Sequence, residues 1–181
     1  LAPCEDNEKV TVEMACWGDV AALGRLYERY YAPMVWVAYA VLLDRGLAED
    51  AAQQAFATAC EKMRGLREHD RFGPWLATIC RHAAQDMLRR RRREARLQQD
   101  HSGESRVEPG NDGFDHAVKE AVDRLPAMYR EVVVLHYYQD MSYQEMESVL
   151  GLSGDVVKGR LARARKRVRA YLRQEGFHLE Q

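Results

Sequence analysis

The sequence predicts an all-α protein built as two small helical domains joined by a flexible linker, and three observations carry that reading. Apolar residues recur three and four positions apart along nearly the whole chain, the period of a helix face, while β-branched alternation is almost absent. From about 98 to 113 the chain is polar and turn-rich, with almost no large apolar side chain, so it cannot bury enough surface to offset its ordering entropy. The net charge of −1 over 181 residues also conceals two basic blocks on either side of that stretch. Residues 64–96 carry 10 Lys and Arg against 4 Asp and Glu, and residues 154–181 carry 8 against 3. The expected division is 15–96 for the first domain, 97–113 for the linker and 114–173 for the second domain.

The first convincing helical stretch is 19–43, with Ala22, Leu26, Tyr30, Val37 and Val41 on a common side and Pro33 as a candidate break. Asp44-Arg45-Gly46 is expected to end it. A second helix over about 48–63 buries Ala52, Ala55, Phe56, Ala59 and Met63, with Glu49 and Asp50 suited to its positive N-terminal end. The stretch 64–74 reads as irregular, and Pro74 and Trp75 open a third helix. Leu76, Ile79, Cys80, Ala83 and Met87 point inward in that helix, which places Thr78, Arg81, Gln85, Arg89 and Arg92 on a basic strip opposite.

Beyond the linker, a helix from Phe114 carries Val118, Ala121 and Val122, and Pro126 fits the first turn of the next, which carries Tyr129, Val132, Val133 and His136. Asp140 or Ser142 caps a short helix over 143–150, and Gly151 supplies the backbone freedom that ends it. Ser153 or Asp155 caps the last helix, whose Val157, Leu161, Ala164, Val168 and Leu172 line one face while basic residues crowd the rest.

A short helix, a glycine-marked turn and a long basic helix have the spacing of a DNA-reading helix-turn-helix. The last helix, over 155–172, makes a rod of roughly 27 Å, and its first turns suit a major groove. Lys158, Arg160 and Arg163 are the candidate base readers, with Arg165, Lys166, Arg167 and Arg169 as backbone clamps. Gly159 costs about 1 kcal/mol relative to alanine inside a helix, a cost consistent with close backbone approach to DNA. The run Arg89 to Arg93 alone reads equally as a solvated helix end. Beside it, however, Phe72 and Trp75 interleave with Arg64, Arg67, Arg71 and Arg81, a pattern suited to unstacked single-stranded bases. Trp75 reads as core before it reads as a stacking platform.

Other function classes find little support. The six histidines form no metal-protease or triad pattern, and no glycine-rich phosphate cradle or paired-carboxylate motif appears, so neither an enzyme nor a cofactor is expected. Cys4, Cys16, Cys60 and Cys80 contain no CxxC pair; three of them sit in helical apolar patterns and read as packing residues, and a redox- or metal-sensing role for Cys4 and Cys16 is the alternative. No apolar run approaches the ~20 residues that span a bilayer, and the expectation is a cytoplasmic protein with no membrane insertion of its own.

Two sets of motifs together resemble bacterial sigma factors of the extracytoplasmic-function group, which keep only sigma regions two and four. Ala-Glu-Asp-Ala-Ala-Gln-Gln-Ala-Phe at 48–56 resembles the region-two polymerase-binding motif, and Trp-Leu-Ala-Thr-Ile-Cys-Arg-His-Ala-Ala-Gln-Asp at 75–86 resembles the helix that meets the minus-ten promoter element. Leu-Pro at 125–126, Arg130, the run at 142–146, Leu-Gly at 150–151 and Val-Lys-Gly-Arg-Leu-Ala-Arg-Ala-Arg at 157–165 are similar to region four. The resemblance implies that Asp50, Gln53 and Gln54 bind core RNA polymerase. It implies that the loop before Pro74 and the face of Arg81, His82, Gln85 and Arg89, with Phe72 beside them, handle the melted minus-ten strand. It places Lys158, Gly159, Ala162 and Arg163 on the minus-thirty-five duplex, with Arg160, Lys166 and Arg167 alongside, and it implies an anti-sigma partner. Gln54 stands where the polymerase-binding motif is usually acidic, a departure that bears on the polymerase contact; His82 stands where asparagine is common and Val156 where threonine is common, so the promoter sequence is not inherited. An ordinary helix-turn-helix regulator is the alternative, but it leaves the basic strip unexplained; an adaptor for acidic partners is a second.

Overall fold

The computed structural model describes residues 8–97 and 113–177, and among them lie eight α-helices and no strand. The first half contains α1 (Glu8–Cys16), α2 (Val20–Leu42), α3 (Arg45–Lys62) and α4 (Phe72–Leu97); the second contains α5 (Gly113–Asp123), α6 (Ala127–Val133), α7 (Tyr143–Leu150) and α8 (Gly154–Gln174). The stretch 98–112, which includes most of the expected linker, lies outside the described residues, as does Cys4.

Helix α1 was not anticipated, because its buried Thr11, Val12 and Ala15 are too few to make a pattern. Asp19 starts α2 by accepting a hydrogen bond from the Ala22 amide at 2.9 Å. Pro33 does not break α2: the helix runs through it for 23 residues, held by a nearly continuous buried run from Val37 to Leu42. The turn after it differs from expectation. Leu43, in the left-handed region at φ 52°, ends α2, and Asp44 caps α3 through the Leu47 amide at 3.1 Å. Gly46 is therefore inside the next helix.

Four alanines, Ala48, Ala51, Ala52 and Ala55, pave the inner face of α3, so the helix sits close to its neighbours and pushes its polar residues outward. Pro74 occupies the first turn of α4, where its missing N–H costs nothing. At Gly73 a Cβ would lie 3.1 Å from the Tyr30 ring, so glycine is what lets α4 start against α2. The inward line of α4 is Leu76, Ala77, Cys80 and Ala84, rotated slightly from the expected one.

In the second half, α6 runs directly into a π-helical turn over Val134–Tyr138. The wider turn sends Val134 and Leu135 into the core and leaves His136 and Tyr137 beside α8. Ser142, rather than Asp140, caps α7 in a reciprocal capping box with Glu145, and Gly151 ends that helix at φ 65°. Ser153 takes the N-cap position of α8 without a side-chain bond, while Asp155 lies in the first turn. Val157, Leu161, Ala164 and Leu172 are buried as the periodicity requires, with Val168 packed against the same core. One continuous hydrophobic core joins both halves of the chain.

Candidate nucleic-acid interface

Burial of the Val157 face forces the opposite side of α8 outward. At 100° per residue, Gly159, Ala162, Arg163 and Lys166 cluster on that outer side, with Lys158 and Arg160 at its edges. Lys158, Ala162, Arg163, Lys166 and Arg167 are exposed, whereas Gly159 and Arg160 are half-buried. The geometry can do what the residues suggest: a helix with small residues at 159 and 162 between long cations fits a groove floor flanked by acceptors. A Cβ at Gly159 would meet only Arg163 Nη1, at 3.7 Å, so the protein's own packing does not demand glycine there.

Three cations of α8 lie over tyrosine rings. Lys158 Nζ is 5.8 Å from the Tyr143 centroid, Arg165 is 5.6 Å from that of Tyr137, and Arg167 is 5.2 Å from that of Tyr129. These tyrosines come from α7, the π-turn and α6, so the whole second half orients the flanks of α8. Tyr137 was missed in the sequence because its placement depends on the π-turn, which periodicity does not announce.

The upstream site is a cleft of about 470 Å³ between the chain from Lys62 to Arg71 and the first turns of α4. Lys62, Arg67, Arg71, Trp75 and Thr78 line it together with Glu68, which pairs with Arg71 at 3.3 Å, and Ser148 of α7 contributes one wall. Trp75 packs partly on the core and also lines the cleft, so both readings of this residue hold in part. Phe72 requires correction as a base-contacting residue. It is 1% exposed, meeting Tyr30 edge-on at 5.3 Å and Trp75 at 5.8 Å, and it supports the cleft from beneath. His82 and Arg89 are exposed and Gln85 is half-buried along α4, as a polar face requires. Arg89 is paired with Asp86 at 2.9 Å.

Arg81 departs from the expected basic strip. Its side chain is 16% exposed and faces Glu131 of α6, itself 10% exposed, at 3.4 Å. Around this pair the two halves are stitched together. Buried Arg130 donates Nε to the Ala40 carbonyl at 2.7 Å and Nη1 to the Asp123 and Leu125 carbonyls at 3.0 and 2.8 Å. Burial moves its guanidinium below the ordinary arginine pKa, and the three carbonyls satisfy it there. Tyr39 donates to Asp123 at 3.1 Å, Gln139 donates to the Pro33 carbonyl at 3.3 Å, and Trp36 packs on Tyr138 at 5.2 Å. Burial and the neighbouring Asp123 carboxylate raise the Tyr39 pKa, keeping it the donor.

On α3, Asp50, Gln53 and Gln54 are exposed at i, i+3 and i+4, a single polar patch opposite the alanine face. Among the described residues no cluster of His, Cys, Asp and Glu could hold a metal ion, and no described helix is long and apolar enough to cross a membrane. Cys80 is buried with its thiol 3.2 Å from the Met34 carbonyl, half-buried Cys16 lies 3.1 Å from that of Met63, and Cys60 is exposed.

Fold and sites together define a class: a two-part helical protein with a helix-turn-helix in one part and a cationic, aromatic-lined cleft in the other. The same two parts are matched by family models, residues 26–94 by Sigma-70 region 2 and residues 115–168 by Sigma-70, region 4. The chain is 30% identical over 179 residues to the ECF RNA polymerase sigma factor SigE of Mycolicibacterium smegmatis, covering 92% of this chain and 69% of that protein. It is 32% identical over 170 residues to the probable RNA polymerase sigma factor RfaY of Xanthomonas campestris, covering 88% of this chain but spanning 42% of that longer relative. Among solved structures, CnrH of Cupriavidus metallidurans in complex with the cytosolic domain of CnrY is similar at a TM-score of 0.69 and 28% identity, covering 92% of this chain and 97% of that one. The chain belongs to the ECF RNA polymerase sigma factor family of the sigma-70 type.

Proposed function

We propose that the protein binds core RNA polymerase and directs it to promoters, acting in the cytoplasm as a recognition subunit without catalytic chemistry of its own. One observation carries this reading: a single chain holds a helix-turn-helix with an outward cationic face and, on a separate set of helices, a cleft suited to unpaired bases. A repressor needs only the first.

In this mechanism Lys158, Arg160 and Arg163 contact base edges of the minus-thirty-five duplex, Gly159 and Ala162 let the helix approach, and Lys166 and Arg167 hold phosphates. His82, Gln85 and Arg89 with the lining of the cleft hold the melted minus-ten strand, stacking and charge lowering the free energy of the open form. Arg81 joins them only after leaving Glu131. Asp50, Gln53 and Gln54 bind the polymerase. CnrH was solved in complex with the cytosolic domain of CnrY, which supports a bound protein partner for this chain, the place the anti-sigma factor implied by the sequence resemblance would take.

The test is transcription in vitro with purified core polymerase and a library of promoter fragments. The added chain should confer initiation at defined start sites; a helix-turn-helix regulator would retain duplex binding yet leave core polymerase without specific starts.

A further inference from the structure

Both halves of the chain build the cleft before α4. One side comes from the stretch between Lys62 and Arg71 with Trp75 and Thr78, whereas Ser148 belongs to α7 of the second half. The Ser148 wall exists only while the halves are in contact. With it in place the space is about 470 Å³, within the roughly 300–1,000 Å³ of small-molecule sites. That is room for one nucleotide, not for a strand.

Each lining group has a defined bonding capacity. Among the described residues Lys62 and Arg67 are exposed and neither pairs with a carboxylate, while Glu68 is taken up by Arg71 at 3.3 Å. Two uncompensated cations beside the positive end of α4 favour a ligand group with two negative charges. Half-buried Trp75 and Leu66 supply apolar surface for a base, the ring by stacking. The two hydroxyls are already committed as donors: Thr78 Oγ1 donates to the Pro74 carbonyl at 2.9 Å, and Ser148 Oγ to the Gln144 carbonyl at 3.3 Å. Their oxygens are left to accept, so their complement is a ligand bearing O–H or N–H donors, as ribose and a base edge do. Charge, ring and acceptors together match a nucleoside 5′-diphosphate.

We propose that the closed chain binds a nucleoside 5′-diphosphate in this cleft and that the ligand holds the two halves together. This rests on the reading of the chain as a promoter-recognition subunit whose halves part on DNA. A ligand that touches both halves binds the closed form alone; by linkage it stabilises that form and withholds the cleft from a melted strand. Once polymerase and promoter have drawn the halves apart, the Ser148 wall is gone and the nucleotide has lost its site. The effect is confined to the chain before it joins the polymerase.

The experiment titrates ADP, adenosine and inorganic pyrophosphate separately into the full chain by calorimetry, without polymerase. ADP should bind one to one, and the other two at least about 10-fold more weakly. Arg67→Ala should weaken ADP about 10-fold, the loss of one charge-assisted hydrogen bond. Ser148→Glu changes an exposed position on the other half and should weaken ADP to a similar extent, by bringing a carboxylate into the cleft. A labelled single strand with the minus-ten sequence of a selected promoter should bind about 10-fold less tightly when ADP is held at about ten times its dissociation constant. No ADP binding, or equal binding to the unmodified chain and either variant, overturns the two-sided cleft. Pyrophosphate as tight as ADP overturns the nucleotide, and an unaffected strand overturns the linkage. Each of these leaves specific initiation with core polymerase, and so the function itself, standing. A chain that binds ADP as described yet confers no initiation keeps the ligand site and loses the function.

Discussion

The guanidinium of Arg81 and the carboxylate of Glu131 face each other at 3.4 Å across the junction of the two halves, each largely removed from solvent. The pair occupies an arginine of the helix assigned to the minus-ten strand, and Ser148 from the same half reaches the wall of the adjoining cleft. Minus-ten and minus-thirty-five elements stand about 25 base pairs apart, roughly 85 Å of duplex at 3.4 Å per step. A compact body of this chain length has a radius of gyration of about 16 Å. It does not reach both elements, whereas 15 intervening residues extend to as much as ~50 Å. For the proposed function, the halves are expected to separate on the promoter, with the Arg81–Glu131 contact broken as they do.

Glu131→Ala is expected to open the free chain, because it leaves a buried cation without its partner, a loss of several kcal/mol in fully buried cases and smaller here, about 1 to 3 kcal/mol. Small-angle scattering should show a larger radius of gyration than that of the unmodified protein. Replacing both members by methionine should open it less, since no orphan charge remains. Equal compactness of all three proteins would mean that the pair does not hold the halves together.

Gly159→Ala separates protein stability from DNA binding. The helix interior favours alanine by about 1 kcal/mol, and nothing but the mobile end of Arg163 lies near the added methyl. Thermal unfolding should shift upward while promoter affinity falls. Stability gained with affinity untouched would remove the close-approach role of this glycine.

On the reading face, Arg163→Ala should cost about 1 to 3 kcal/mol at one particular base pair and relax preference there. Arg167→Ala should lower affinity evenly across promoter sequences and flatten the salt dependence. Competition binding against single-substitution promoter libraries distinguishes the two outcomes. Identical profiles for both variants would mean that α8 does not read the groove in the orientation given.

Much of the fold was legible because it depends on local periodicity: the buried stripe of α8 and the alanine face of α3 follow directly from residue spacing. What covers a face is less legible. Arg81 stands on the polar side of α4 by spacing, yet α6 covers that side and supplies Glu131. A signal existed in Val-Trp-Val-Ala-Tyr-Ala-Val-Leu-Leu at 35–43, apolar all round and thus a helix covered on more than one side. Phe72 beside arginines reads the same whether it stacks on bases or on Tyr30, and only packing decided for Tyr30. The π-turn that delivers Tyr137 to Arg165 is a backbone event without a composition of its own.

Cys80 gives the last prediction, one of pH dependence. Burial pushes its thiol from the ordinary 9.0 up to about 12, so the folded protein keeps a proton that the unfolded chain releases near pH 9. The folded state binds more protons in that window, and stability must fall as pH rises through it. The stabilisation is complete below pH 9 and lost between about pH 9 and 12. Denaturant unfolding of the unmodified protein and of Cys80→Ala over that range should therefore converge: the variant is less stable at neutral pH, because a buried side chain is shortened, but it loses less on going alkaline. Exposed Cys60 should meanwhile react with iodoacetamide in the native state, whereas Cys80 reacts only as fast as the helices α2 and α4 part. Parallel pH curves for the two proteins would remove the buried thiol as the source of alkaline sensitivity.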